Sequence, residues 1–461
     1  MSEAVSTGLL DRAIRRITGV WRDMASSVVG DGDETLEAQM QACLAGRGGE
    51  VSARNRAAKL AQTYLTQDDA GRELFLRTLA GFDSDPDAVA AAYAEVQAAQ
   101  DVAERATAKA ALRHALEPPR LKLLTQFTSI PDGRKFLVDL RGSLLKLRGN
   151  DKLLAALDAD LRGLLAAWFD IGFLELQRID WNSPAALLEK LVDYEAVHAI
   201  RSWRDLKNRL DSDRRCYAFF HPRMPGEPLI FVEVALVKGL AGSVQSLLDE
   251  KAPVQDPSQA DTAIFYSISN CQSGLAGISF GNFLIKRVVE ELSTEFRNLK
   301  TFATLSPIPG FRRWLDPLLA RDEPKLLSDE ESALLVAAFP AETACLALSG
   351  ILAKRHWWRD AVLRKAAEAV LTRLSARFLI IEANGKRAKD PVAHFHLSNG
   401  ARVERLNMAG DTSDKGAKES ATFMVNYLYD PGKIEDWHED YAGEGKRNAS
   451  TSVRKLARGW S

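Results

Sequence analysis

The chain has 461 residues, 46% of them apolar and 27% charged, enough for two or three globular domains with sizeable cores. Its 61 basic and 62 acidic residues leave a formal net charge of -1, which excludes a broad attraction to nucleic acid or an anionic membrane and makes any phosphate recognition local. Cys43, Cys216, Cys271 and Cys345 are scattered without a C-x-x-C spacing, which argues against a zinc cluster or a disulfide framework and suits a reducing compartment.

At the N-terminus, Leu9, Leu10, Ala13, Ile14, Ile17, Val20, Trp21 and Met24 recur at helical spacing, while Glu3, Asp11 and Asp23 interrupt a transit-peptide pattern. A folded helix is expected there, and with no apolar run long enough to cross a bilayer, a soluble cytoplasmic protein is expected. The helical period dominates to about residue 165, broken at "DSDPD", "EPPR" and "SIPDG", and implies an all-α bundle over residues 1–167. Its leucine stripes, such as Leu121, Leu123 and Leu124, read as core or subunit interface.

After Trp168 the period changes. Strands are expected at "FLELQRI", "RRCYAFFH" and "LIFVEVALV", the last two joined by a turn at Gly226-Glu227, and again at "AIFYSIS" and "TFATL". A Gly-containing loop and the helix "NFLIKRVVEELSTEF" stand before the last of these. The strand "TFATL" runs into Ser306, Pro307, Ile308, Pro309 and Gly310, a rigid turn with a serine at its tip. A helical insertion is expected at about 311–374, then strands at "RFLIIEA", "AHFHLSNGARVERL" and "ATFMVNYLYD", with Asn399-Gly400 read as a two-residue hairpin turn. A strand there would put His394 and His396 on one face; no third ligand stands at a recognisable spacing, so no metal site is expected. The Gly-, Ser- and charge-rich C-terminal segment reads as loosely packed. The fold class is therefore α+β, or mixed α/β. The order of strands and helices resembles the acetyltransferase (GNAT) fold, which binds acyl-CoA thioesters, and assigns residues 168–461 to an acyl-CoA-binding catalytic domain.

"CQSGLAGISFGNF" places Gly274, Gly277 and Gly281 just before a helix, where backbone N–H groups and the helix N-terminus favour a phosphate. Lys286 and Arg287 follow in the first turns, as phosphate contacts or as a solvated basic pair. "AIFYSIS", "GLAGISFGNFLIKRVVEEL", "LSPIPGF", "HFHLSNGA" and "SATFMVNYLY", in this order, resemble the malonyl-CoA decarboxylase family, an N-terminal helical domain followed by an acetyltransferase-like one.

The resemblance implies Ser306 and His396 as catalytic residues, and the malonyl-CoA loop on Ala276, Gly277, Ile278, Ser279, Phe280, Gly281 and Asn282. It also implies Tyr429 as a pocket residue and a homo-oligomer, a tetramer. Ser279 departs from the family pattern, which has Glu in this loop. The implied activity converts malonyl-CoA to acetyl-CoA and CO2 without an added cofactor, since the CoA thioester of the substrate takes up the electron pair of the broken bond as an enolate. A CoA-dependent N-acyltransferase and a non-catalytic acyl-CoA sensor are the competing readings.

Overall fold

The structure, a computed structural model, describes Trp21, Met24 and residues 35–45, 49–278 and 283–458. Most of the stripe expected at Leu9–Met24, and Ser279, Phe280, Gly281 and Asn282, lie outside the described residues. The described residues fall into two compact units. One is drawn from Met1–Glu175, Phe220–Leu229 and Cys271–Ser279, the other from Leu176–Phe219, Ile230–Asn270 and Phe280–Ser461.

The first unit is helical. Asp68, Asp85, Asp101 and Asp151 each cap a helix by accepting a backbone N–H, which is why these starts are sharp. Its core gathers Trp21, Tyr64, Phe75, Phe127 and Phe136, with Phe136 edge-on to Trp21 at 5.5 Å and to Tyr64 at 5.7 Å.

The second unit carries a mixed sheet of β1 (Glu175–Ile179), β2 (Arg214–Phe220), β3 (Pro228–Val237), β4 (Thr262–Asn270), β5 (Thr301–Thr304) and β6 (Ser306–Pro307), together with two later strands. β7 (Ala383–Asn384) and β8 (Arg387–Ala388) form a separate small hairpin. β9 (Arg402–Asn407) and β10 (Met424–Tyr429) rejoin the main sheet, whose order is β1-β2-β3-β4-β5-β10-β6 with β9 also on β10. The fold is mixed α/β with the acetyltransferase-like arrangement: an antiparallel β3/β4 pair, then β4 parallel to β5.

Three irregularities fall at one level of this sheet. β4 carries Tyr266 as an extra residue against β3, β9 carries Glu404 as an extra residue against β10, and the β5–β6 strand breaks between Thr304 and Ser306. The parallel pairing of β4 with β5 ends at Phe265 and Thr304, and Leu305 N–H donates the last bond to the Phe265 carbonyl at 2.9 Å. Beyond it β4 continues to Asn270 paired with β3 only, while Ser306 and Pro307 pair only with Val425 and Met424 of β10. Pro307 has no N–H to offer a ladder on the other side.

Between β9 and the insertion the expected hairpin is not formed. Residues Pro391–Ser398 are an α-helix, capped by Asp390 with Pro391 in the first turn. Asn399-Gly400 ends it: Gly400 takes φ +75°, and Ala401 N–H bonds back to the His396 carbonyl at 3.1 Å. A hairpin turn and a helix stop ask for the same left-handed backbone, so the dipeptide signals both.

The "RFLIIEA" segment is helical as far as Ile380, and only its last residue, Ala383, stands in a strand, β7. The insertion helices run from Phe311 to Ile380, because Val370, Leu371, Leu374 and Phe378 continue one buried face, with Phe378 stacked on Trp314 at 5.1 Å. The C-terminal segment is not loose: Val403 bridges to Ala449, the Tyr441 hydroxyl accepts Ala388 N–H, and helix Thr451–Arg458 buries Val453. Among the described residues no helix is long and apolar enough to cross a membrane.

A Cβ at Gly400 would run into the Ile434 carbonyl oxygen on a backbone already at φ +75°. Gly400→Ala is expected to lower stability by at least ~1–2 kcal/mol, read as a lower urea midpoint.

Candidate active site

The period-2 alternation of β5–β6 puts Thr304 and Ser306 on one face, and that of β10 does the same for Tyr427 and Tyr429. Both faces meet the helix Pro391–Ser398 at His396. Ser306 Oγ lies 3.0 Å from His396 Nε2 and donates to Thr304 Oγ1 at 2.9 Å. His396 Nδ1 is 2.8 Å from the Tyr429 hydroxyl, and the Tyr427 ring stacks on the imidazole at 4.5 Å. Ser306 and His396, ninety positions apart in the chain, share the wall of one cavity of about 240 Å³, also lined by Phe265, Ser267, Val392 and Phe395. That is smaller than a drug-sized site of ~300–1,000 Å³ and suited to the end of a longer ligand. The cavity opens where β4 parts from β6.

Burial dictates the electrostatics. His396 is 3% exposed, and desolvation alone pulls its pKa down to about 3. No charged side chain offsets this, so the imidazole is neutral throughout the physiological range. Burial likewise pushes the Tyr427 and Tyr429 phenols well above their ordinary range. The third member beside the histidine is thus a neutral phenol where a serine hydrolase has a carboxylate.

The break in β5–β6 is held by side chains. Thr304 Oγ1 accepts Tyr427 N–H at 3.2 Å, and the Asn426 amide donates to the Thr304 carbonyl at 2.7 Å. Asn426 is fully buried and fully used: its amide also donates to Ala241, and its oxygen accepts from Arg405 and Asn407. The Ser306–Gly310 turn is fixed from two sides. Ile308 N–H donates to Ser420 Oγ at 3.1 Å, and Gly310 N–H donates to Asp390 Oδ2 at 2.9 Å. The other Asp390 oxygen accepts Val392 and Ala393 N–H at the start of the His396 helix. One buried carboxyl therefore joins the serine turn to the histidine helix. Burial raises its pKa against the pull of three backbone donors and Arg313.

His394 does not share the face of His396: two residues along a helix turn the side chain away, and His394 Nδ1 meets the Tyr441 hydroxyl at 2.8 Å. Among the described residues no group of three His, Cys, Asp or Glu side chains is set to hold a metal. Tyr429 stands behind the imidazole, 1% exposed, not on the cavity wall.

In the helical unit, Ala276, Gly277 and Ile278 follow a 3-10 turn at Ser273–Leu275, with Gly277 at φ +72°. The buried Arg141 anchors this loop, donating to the Gly274 carbonyl at 2.6 Å and the Ala276 carbonyl at 2.9 Å while pairing with Asp158 at 2.8 Å. Lys286 pairs with Glu435 at 2.6 Å on the surface.

The chain matches the family models for the malonyl-CoA decarboxylase C-terminal domain over residues 172–460 and N-terminal domain over residues 82–169. The chain belongs to the malonyl-CoA decarboxylase family. It is 38% identical over 401 residues to the mitochondrial malonyl-CoA decarboxylase of Rattus norvegicus, a match covering 83% of this chain and 81% of the rat protein. The match to the enzyme of Anser anser anser, 39% over 328 residues, spans 69% of this chain and 65% of the goose protein. The crystal structure of malonyl-CoA decarboxylase from Rhodopseudomonas palustris superposes with a TM-score of 0.82 at 42% identity, covering 91% of this chain and 98% of that one. The one from Agrobacterium vitis gives 0.83 at 41%, covering 92% and 99%.

Within this family member, sequence reading passed over Thr304, Tyr427, Asp390 and Arg141. Thr304 stands two residues before the serine on one strand face, and Asp390-Pro391 is a helix-start signature, so both carried a local signal. Arg141 and Tyr427 carried none, since their partners are distant in the chain.

Asp390→Ala is expected to lower stability by ~2–4 kcal/mol in urea unfolding, combining a lost cap with an unsatisfied Gly310 N–H, and to lower kcat. Asp390→Asn, which keeps one acceptor, is expected to fall between.

Proposed function

We propose that the protein decarboxylates malonyl-CoA to acetyl-CoA and CO2 at Ser306 and His396. The family supports a decarboxylase, a carboxy-lyase; the observation that carries the residue assignment is the neutral Tyr429–His396–Ser306 chain at the wall of the cavity between β4 and β6.

The chemistry follows from the substrate. Cleavage of the bond to the carboxylate releases CO2 and leaves an electron pair on the α-carbon, delocalised into the thioester oxygen. The thioester is the electron sink, so the reaction asks for no biotin, pyridoxal or thiamin. The protein has three tasks. It must hold the carboxylate in a dry apolar pocket, place donors near the developing enolate, and supply a proton to carbon. Phe265, Val392 and Phe395 serve the first task, and the Ser306–His396 pair serves the other two, with Ser306 as the hydroxyl facing the enolate and His396 as the source of the proton that passes through it. One proton is consumed per turnover and is restored from water.

The neutral phenol behind His396 supports this over acyl-serine chemistry. A nucleophilic serine hands its proton to the histidine, and the resulting imidazolium needs a carboxylate beside it. Here burial disfavours that cation and Tyr429 offers no charge against it. The loop Ala276–Asn282, with Gly277 at its positive φ and Arg141 holding the Ala276 carbonyl, is proposed to receive the CoA phosphates. The reading extends to a cytoplasmic homo-oligomer. Cys43 and Cys345 are free, buried thiols, as suits a reducing compartment, and Val51, Leu74, Tyr93, Val102 and Leu116 leave apolar area exposed on the helical unit for self-association.

Malonyl-CoA without an acceptor is expected to give CO2 and acetyl-CoA in equal amounts. Product only with an added amine, or binding without turnover, would overturn the reading. Ser306→Ala and His396→Asn are each expected to lower kcat ~10²- to 10⁴-fold. Because the imidazole stays neutral down to about pH 3, kcat is expected to show no histidine step near ~6.5. The same shift sets a sign for stability: protons bind the unfolded imidazole first, so its contribution is lost as pH falls from ~6.5 towards about 3.

A further inference from the structure

The Ser306 hydroxyl has two close polar neighbours and only one hydrogen to share between them. That hydrogen is donated to Thr304 Oγ1 at 2.9 Å. The 3.0 Å contact to His396 Nε2 is then closed by a hydrogen on the nitrogen. A neutral imidazole carries one ring N–H, so Nδ1 is the acceptor in its 2.8 Å contact and Tyr429 is the donor. The chain of bonds runs one way, from Tyr429 through His396 and Ser306 to Thr304.

Thr304 can end it because its oxygen is fixed independently, by Tyr427 N–H at 3.2 Å and by the Asn426 amide on its carbonyl at 2.7 Å. The residue is fully buried and stands outside the cavity wall.

We propose that Thr304 is a positioning residue that sets the direction of proton transfer: by taking the Ser306 hydrogen at rest, it keeps His396 as the Nε2–H tautomer. This rests on the reading of Ser306 and His396 as the decarboxylating pair. The pair is thereby loaded to give a proton and unable to take one, since Nε2, the base of a serine hydrolase, is already occupied. In turnover the Ser306 hydrogen leaves Thr304 for the enolate carbon. The C–H bond forms as the O–H bond breaks, Oγ is refilled from Nε2 while Nδ1 takes the Tyr429 hydrogen, and a proton from water at Nε2 sends that hydrogen back to the phenolate. Serine never becomes a free alkoxide facing the thioester carbonyl.

The test is the ring tautomer, read by nitrogen-15 NMR of histidine-labelled full-length protein, with the His396 signals identified by their loss in His396→Asn. The wild type is expected to show Nε2–H. Thr304→Val removes the acceptor, and the Ser306 hydrogen is expected to turn to Nε2 and drive the ring to Nδ1–H. Its kcat is expected to fall by about 10²-fold with KM nearly unchanged. Thr304→Ser keeps the oxygen and is expected to restore both. Nδ1–H in the wild type overturns the proposal and needs no variant to fold; so does Nε2–H retained in a folded Thr304→Val, as a merely structural threonine would leave it. A wild type with the expected tautomer that fails to decarboxylate malonyl-CoA would sink the functional reading and leave the assignment of Thr304 standing.

Discussion

The structure of the second unit depends on one separation: β4 and β5 pair in parallel as far as Phe265 and Thr304 and then part. A sheet resists this, since each abandoned ladder position leaves a donor or acceptor whose burial without a partner costs ~1–3 kcal/mol. The fold meets that cost with side chains. Thr304 and Asn426 bond to the backbone across the break, and Ser306 and Pro307 keep pairing with β10 in the register that Phe302 and Ala303 began. The bulges at Tyr266 and Glu404 stand at the same level, so the neighbouring strands bend where the gap opens. The gap is then a rigid feature, and a serine placed at its edge has a defined direction.

What fills the level of the gap is neutral. Histidine, serine, threonine and two tyrosines bond or stack in sequence without a formal charge among them. A buried ionic triad would need its charges paired to survive desolvation. A neutral chain needs only its hydrogens counted, and it leaves the cavity as a low-dielectric place where a carboxylate is poorly solvated. On the proposed mechanism that poor solvation favours loss of CO2, because charge moves from a localised carboxylate to a delocalised enolate. Asp390 is the carboxyl closest in role to the site, and it is spent on backbone N–H groups that lock the serine turn to the histidine helix.

Much of this was legible in the residues. The change of period near Trp168, the strands β2 to β5 and the serine before two prolines are local patterns, and local sterics and hydrogen bonding produce them. The ordered motifs that mark the family were legible too. The segment around His396 was misread as a strand because Asn399-Gly400 serves a hairpin and a helix stop alike, while Asp390-Pro391, nine residues earlier, was the signal that separates them. "RFLII" was misread because a β-branched apolar run also suits the last turns of a buried helix, and only Trp314 packing on Phe378 decides between the two.

By itself, then, the sequence determined the family, the alternation of helices and strands, and the serine and histidine as residues to watch, because each of these is written in short-range spacing. Tertiary structure alone decided that Ser306 and His396 stand 3.0 Å apart, that a phenol and not a carboxylate backs the imidazole, and that Thr304 receives the serine hydrogen. These depend on β10 lying between chain segments a hundred residues apart, and strand pairing over such distances is set by the burial of whole faces, which no local pattern encodes.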